Sequence, residues 1–207
     1  MKLPSECSAF SLNFQKRRYD WCIKYLPSDR RITAVDIGAH VGFWSNYMAK
    51  DFEKVYSFEP CKRNFECLLE NKKNNVIAYN FALGHEKGDG QLSTGKISNS
   101  GSWSFKYKGK ITHSETVQIK TLDSLNITPN FIKIDVEKYE LDVLKGATDT
   151  LKKCSPVVNL EAKTGEQRDT IEKFMTKLGY LMKGTFSKEC VFVRRPKYSG
   201  WKDKRVR

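Results

Sequence analysis

The 207 residues, 39% of them hydrophobic, are enough for one well-buried core and too few for two, so a single domain over residues 1–207 is expected. With 37 Lys and Arg against 24 Asp and Glu, the formal charge of +13 favours anionic partners without choosing among nucleic acid, a phosphorylated carrier and an acidic surface. Six cysteines without a C-x-x-C pair argue against a zinc site or a disulfide framework. No apolar run could span a bilayer, and Pro4-Ser5-Glu6 does not read as a secretory signal. A reducing, cytoplasmic compartment is therefore expected, and the Asn126-Ile127-Thr128 sequon reads as fortuitous.

Apolar side chains recur at helical spacing from Leu12 to Leu26 and stop at Pro27, which predicts a helix over 12–26. The β-branched run Ile32 to Ile37 predicts the first strand, leading through Gly38 and Gly42 into a helix from Gly42 to Lys50. Lys54 to Pro60 reads as a second strand, Cys61 to Lys73 as a helix, and Val76 to Ala82 as a third strand. Strands alternating with helices of this length predict parallel pairing through right-handed crossovers, hence an α/β doubly wound sheet. The alternation lapses at 84–120, where a Gly-, Ser- and Lys-rich stretch carries Trp103, Phe105 and Tyr107; an inserted loop or hairpin over one edge of a pocket is expected there. It resumes with a strand Phe131 to Asp135, one helix Tyr139 to Lys152, a strand Pro156 to Glu161 and a helix Glu166 to Leu178. Two closing strands, Tyr180 to Gly184 and Cys190 to Arg194, follow without a helix between them and imply one antiparallel edge strand. Residues 195–207 read as a basic tail.

The stretch Asp36-Ile37-Gly38-Ala39-His40-Val41-Gly42 is a strand, a tight turn and a helix start, where glycines permit positive φ and close approach of a ligand to the main chain. A pyrophosphate-binding turn keeps this ground free of carboxylates. Asp36 instead favours a cofactor bearing positive charge, and the sulfonium and α-amino group of S-adenosylmethionine fit. An ordinary turn with a capping Asp would look the same in isolation. Glu59, before Pro60 at the end of the second strand, is positioned to accept hydrogen bonds from both hydroxyls of a cofactor ribose. Asn80, Ala82 and Leu83, ending the third strand, fall beside the adenine. Asp135 ends a strand expected next to the first, on the same rim as Asp36.

The run Phe131 to Ala147, with Asp36 to Gly42, Ser57 to Pro60, Thr121-Leu122-Asp123 and Val158 to Glu161 in that order, closely resembles the FkbM family of methyltransferases over Ile32 to Val193. The resemblance implies a Rossmann-like class I methyltransferase fold, mostly parallel with one antiparallel edge strand. It also implies use of S-adenosylmethionine, generally to methylate a hydroxyl oxygen, often of a sugar or natural product. The chain departs from the pattern at His40, where the family usually carries Asn, and at Lys138, where a small residue, commonly Gly, stands.

Methyl transfer is an in-line displacement, so the protein must chiefly align the acceptor oxygen and remove its proton. Asp135 is the leading candidate base. Glu137 and Glu161 can orient the hydroxyl, and the oxygen ligands of Asp135 and Glu161 suit Mg²⁺ or Mn²⁺. In purely structural roles, Glu137 would cap the following helix and Glu161 would pair with Lys163. His40 and His113 are alternative bases, since histidine titrates near working pH. Trp103 and His113, in the inserted segment, are the candidate acceptor contacts. The expected activity is O-methylation of a sugar or glycan hydroxyl, with the positive charge serving an anionic carrier. RNA methylation and a non-catalytic binding module are the alternatives.

Overall fold

In the computed structural model, which describes residues 2–3, 12–163 and 165–195, the β-branched runs form the centre of one seven-stranded sheet. In chain order the elements are α1 (Leu12–Ile23), β1 (Thr33–Ile37), α2 (Phe43–Asp51), β2 (Lys54–Phe58), α3 (Lys62–Asn71) and β3 (Val76–Tyr79). Then come β4 (Ala82–Leu83), β5 (Gly88–Thr94), β6 (His113–Lys120), β7 (Phe131–Ile134), α4 (Glu140–Lys145) and α5 (Thr148–Cys154). The last are β8 (Val157–Glu161), α6 (Gly165–Lys177), β9 (Tyr180–Phe186) and β10 (Glu189–Arg194).

The large sheet runs β3-β2-β1-β7-β8-β10-β9. All neighbouring pairs are parallel except those of β10, which is antiparallel to both β8 and β9. The antiparallel strand thus lies one place in from the edge. The crossover through α6 sets β9 at the edge, and the hairpin through Ser187-Lys188 returns β10 into the gap beside β8. Helices cover both faces, which explains why every residue of β7 and β8 is buried. One face packs Ile37, Phe58, Ile134 and Leu160 against Leu144 and Ile171; the other packs Ala34, Val55, Phe131 and Val157 against Cys22, Trp44 and Met48.

Beyond shifts of one or two residues at element ends, three departures from expectation stand out. The first helix ends at Ile23, and turns carry the chain on to Leu26. The expected helix 139–152 divides into α4 and α5 at Gly146-Ala147, because the chain there packs directly on another backbone: a Cβ on Gly146 would lie 1.8 Å from the carbonyl oxygen of Gly84. The expected third strand also divides. Ala82 and Leu83 leave the large sheet to pair with β6 in a small sheet of order β4-β6-β5, in which β5 and β6 form the hairpin. Residues 95–112 connect its strands and fold back through a bridge between Ser93 and Ser104. Trp103 and Phe105 pack on Cys61, Ala82, Leu92 and Val117. The expected tail lies outside the described residues from 196 onward. Cys22, Cys61, Cys67, Cys154 and Cys190 are free thiols, and among the described residues no helix is long and apolar enough to cross a membrane.

Candidate active site

A cleft of about 230 Å³ opens where β1, β2, β7 and β8 end, lined by Gly38, Glu59, Asp135 and Glu161 among others. Its floor is the turn after β1. Gly38 has φ +75°, and a Cβ there would lie 1.9 Å from the carbonyl oxygen of Asp135, so only glycine lets β1 and β7 finish side by side. His40, at φ 54°, is also left-handed, a conformation that Asn and His enter more readily than most side chains. That accounts for His standing where Asn is usual.

Glu59 holds this turn in place. Its carboxylate accepts from the backbone N–H of His40 at 2.8 Å and of Cys61 at 3.0 Å, with a longer contact from the Asn64 amide at 3.5 Å. Burial pushes its carboxyl up to about 7, against the opposing pull of those N–H donors. The His40 ring bonds the Ser100 hydroxyl at 2.6 Å, drawing the 95–112 connection over the turn. Burial, and then the Lys133 charge, lowers His40 to about 4, so the ring is neutral near pH 7. With its Nε2 engaged by Ser100, the ring serves to tie the connection to the turn.

Asp36 does not reach the cleft. Its side chain is fully buried, accepts from the Ser45 hydroxyl at 2.6 Å and pairs with the Lys133 ammonium at 3.2 Å. Its charge is spent inside the fold, which corrects the reading of Asp36 as the partner of a cationic cofactor. Asp36 and Lys133 are direct cross-strand neighbours in the β1–β7 register. Lys133 also donates to the Gly38 carbonyl at 2.8 Å and lines the cleft. A lone Lys inside Phe131-Ile132-Lys133-Ile134 is the signal that would have found it, because lysine is almost never buried unless paired.

Asp135, Glu137 and Glu161 do come together, with carboxylate oxygens all within 4.8 Å of one another. Lys163 already bridges two of them, donating to Glu137 and lying 3.1 Å from Glu161. Burial alone would depress Lys163, yet the two carboxylates outweigh it and hold the ammonium well above its usual range. Burial, with the charge of Asp135 nearby, raises Glu161. Glu137 and Lys138 both adopt positive φ, 49° and 77°, in a turn held from below by the buried Glu140, whose carboxylate accepts from the N–H of Val136 and Lys138 and from Gln167. Glu137 precedes α4 without capping it, as no side chain caps that helix.

Of the other expected contacts, Ala39, His40, Pro60, Ala82, Leu83 and Trp103 line the cleft. Gly42, Asn80 and His113 do not. Gly42 starts α2 at φ 94°, Asn80 donates to the carbonyls of Glu59 and Pro60, and His113 is exposed at the start of β6 beside Thr112. Residues not foreseen close the cleft: Gln15 and Arg18 from α1, with Gln15 accepting from the Trp44 indole at 2.9 Å and Arg18 paired to buried Glu189. Phe105 and Tyr139 add a ring pair with centroids 4.9 Å apart.

The family model for the methyltransferase FkbM domain matches residues 36–182. The chain belongs to this family. It is 27% identical over 145 residues to the hexuronic acid methyltransferase AglP of Haloferax volcanii, an alignment covering 68% of this chain and 60% of that protein. The FkbM methyltransferase of Methylobacillus flagellatus superposes with a TM-score of 0.58 at 17% identity, over 79% of this chain and 44% of that one. A ribosomal protein L11 methylase from Lactobacillus delbrueckii superposes at 0.54 and 11% identity, over 91% of this chain and 82% of that one. At such identities the two superpositions establish the methyltransferase fold. This FkbM domain spans about three-fifths of its curated relative and under half of the first of these structures.

Proposed function

We propose that this FkbM domain is an S-adenosylmethionine-dependent O-methyltransferase acting on a hydroxyl of a sugar or glycan. One observation carries the reading: the buried Glu59 and the partly exposed Asp135 line one cleft from the ends of β2 and β7, the strands that flank β1, the first suited to hold a ribose and the second to take a proton. The donor set fits the cofactor. Glu59 suits the ribose hydroxyls, Ala82 and Leu83 the adenine, the 38–40 backbone the amino-acid end, and Lys133 its carboxylate. Bound S-adenosylmethionine supplies a methyl group already activated by a sulfonium.

What remains for the protein is alignment and proton removal. Asp135 takes the hydroxyl proton as the oxygen attacks, and Trp103 offers an aromatic face to the sugar ring. Glu137 and Glu161 orient the hydroxyl. Their all-oxygen donor set suits Mg²⁺ or Mn²⁺, but such an ion must displace the Lys163 ammonium that already bridges two of the three carboxylates. In this reading Lys163 supplies the local positive charge and transfer needs no divalent ion. The sugar acceptor draws support from the AglP relative, whose name specifies hexuronic acid.

Titration calorimetry with S-adenosylhomocysteine tests the cofactor half, and binding is the expected result. Incubation with methyl-labelled cofactor and a panel of glycans and RNAs tests the acceptor half. Label is expected in glycan; label in RNA alone refutes the acceptor class.

A further inference from the structure

Beside the cleft lies a second cavity of about 470 Å³, walled by the 95–112 connection and the 137–138 turn. The two cavities share Gly101 and Glu137 as a common wall. Four lysines line the second, Lys106, Lys108, Lys138 and Lys163, against one carboxylate, Glu137. Lys106 is taken by Asp142 at 2.5 Å, and Lys163 by Glu137 and Glu161. Among the described residues, Lys108 and Lys138 have neither a carboxylate partner nor a side-chain hydrogen bond, and Glu137 shares the Lys163 ammonium with Glu161.

Lys138 stands out on its backbone as well. At φ 77° it occupies a left-handed position that glycine enters freely and a long side chain enters at a cost. The turn is nonetheless rigidly held, by Glu140 accepting the Lys138 N–H and by the Ser104 hydroxyl donating to the Glu137 carbonyl at 2.6 Å. That last bond joins the hairpin connection to the turn two residues after Asp135. Strain retained in a braced turn next to reacting groups is where function is to be sought.

We propose that this cavity seats an anionic group of the acceptor, a carboxylate or phosphate on the sugar, held by Lys138 and Lys108 while the hydroxyl to be methylated reaches past Glu137 to Asp135. The inference rests on the methyltransferase reading and names the substrate class for it. Two ammonium groups facing one anion form charge-assisted bonds that a neutral sugar cannot make. The anion is thereby kept at a distance from the methyl group, which directs transfer to a hydroxyl and away from the carboxylate.

The test uses three acceptors: a glucuronic acid oligosaccharide, its carboxyl-reduced glucose counterpart, and a glucosyl phosphate. Labelled transfer and direct calorimetric binding are both read, with the full chain and with Lys138→Gly and Lys108→Ala. Lys138→Gly relaxes the backbone, so its thermal midpoint should not fall. Its KM for the preferred anionic acceptor should rise about tenfold, as for loss of one charged contact, with kcat changed by less than about twofold. The uronate and phosphate arms show which anion the cavity takes. Equal use of the neutral oligosaccharide, an unchanged KM in both variants, binding of neither anionic probe, or label in RNA alone would overturn the proposal. If S-adenosylhomocysteine binds and no anion preference appears, the acceptor inference alone fails. If it does not bind, the cofactor reading fails, and direct binding of the glucuronic acid oligosaccharide still decides the inference.

Discussion

Cofactor affinity should depend on pH through Glu59. Its carboxylate offers about four acceptor positions, of which the His40 and Cys61 N–H groups take two; the Asn64 amide, 3.5 Å away, is better served by the Ser100 carbonyl at 2.9 Å. Two positions are thus left for a ribose diol, provided the group is ionised. With its carboxyl raised to about 7 by burial, only about a tenth is ionised at pH 6. Apparent affinity for S-adenosylhomocysteine should then be about tenfold tighter at pH 8 than at pH 6. Glu59→Gln, which keeps one acceptor oxygen but never ionises, should bind about 10- to 100-fold more weakly at pH 8 and lose the pH dependence. Calorimetry across pH 6 to 8 measures both. A flat profile in the wild-type chain, or an unchanged affinity in the variant, refutes the ribose clamp. The sign for stability is opposite. Because the folded state retains protons on Glu59 and Glu140 that the unfolded chain has released, the ligand-free fold should lose stability as pH rises from about 4.5 to about 7.

Lys133→Met strands the fully buried Asp36 and should destabilise the fold by about 3–5 kcal/mol in urea denaturation; adding Asp36→Asn should recover part of that loss, and strictly additive effects would contradict the pairing. Asp135→Asn should lower kcat by about 10²- to 10⁴-fold with cofactor binding intact, so retained turnover with bound cofactor removes Asp135 as the base. Chelation by EDTA should leave transfer unchanged, whereas Lys163→Ala, which removes the ammonium bridging two of the three carboxylates that lie within 4.8 Å of one another, should bind Mn²⁺ detectably by electron paramagnetic resonance where the wild-type chain does not. Loss of activity in EDTA would show that a metal is required. Gly38→Ala, with its Cβ driven into the Asp135 carbonyl, should cost more than about 2 kcal/mol, and a thermal midpoint equal to wild type would refute the close approach.

The doubly wound sheet was legible because its strands are short apolar runs separated by helices of regular length, and that rhythm is local. That Glu59 and Asp135 line one cleft followed from it, since residues at the carboxyl ends of parallel strands share one rim of the sheet. Asp36 was misread for a related reason. Its position at a strand end suggested exposure, but in a strand covered on both faces the decisive fact is its neighbour across the register, Lys133. That neighbour is 97 residues away, and only a buried lysine in an apolar strand hinted at it. His113 was misplaced because the hairpin register puts it opposite Thr94, beyond the reach of the cleft. The closure by Gln15 and Arg18 depends on how α1 lies across Trp44 and Glu189, a long-range contact with no local signature. Lys138 was visible in the sequence as a departure, and its meaning came only with its φ of 77° and the cavity it faces.

The most direct test of the account is the chemical form of the methyl group transferred. After incubation with methyl-labelled S-adenosylmethionine and a glucuronic acid oligosaccharide, the label should survive mild alkali, as a methyl ether on a sugar hydroxyl does. Label released as methanol would mark a carboxylate ester, for which no base is needed, and would contradict the role given to Asp135. No label in any saccharide at saturating cofactor would contradict the glycan reading itself.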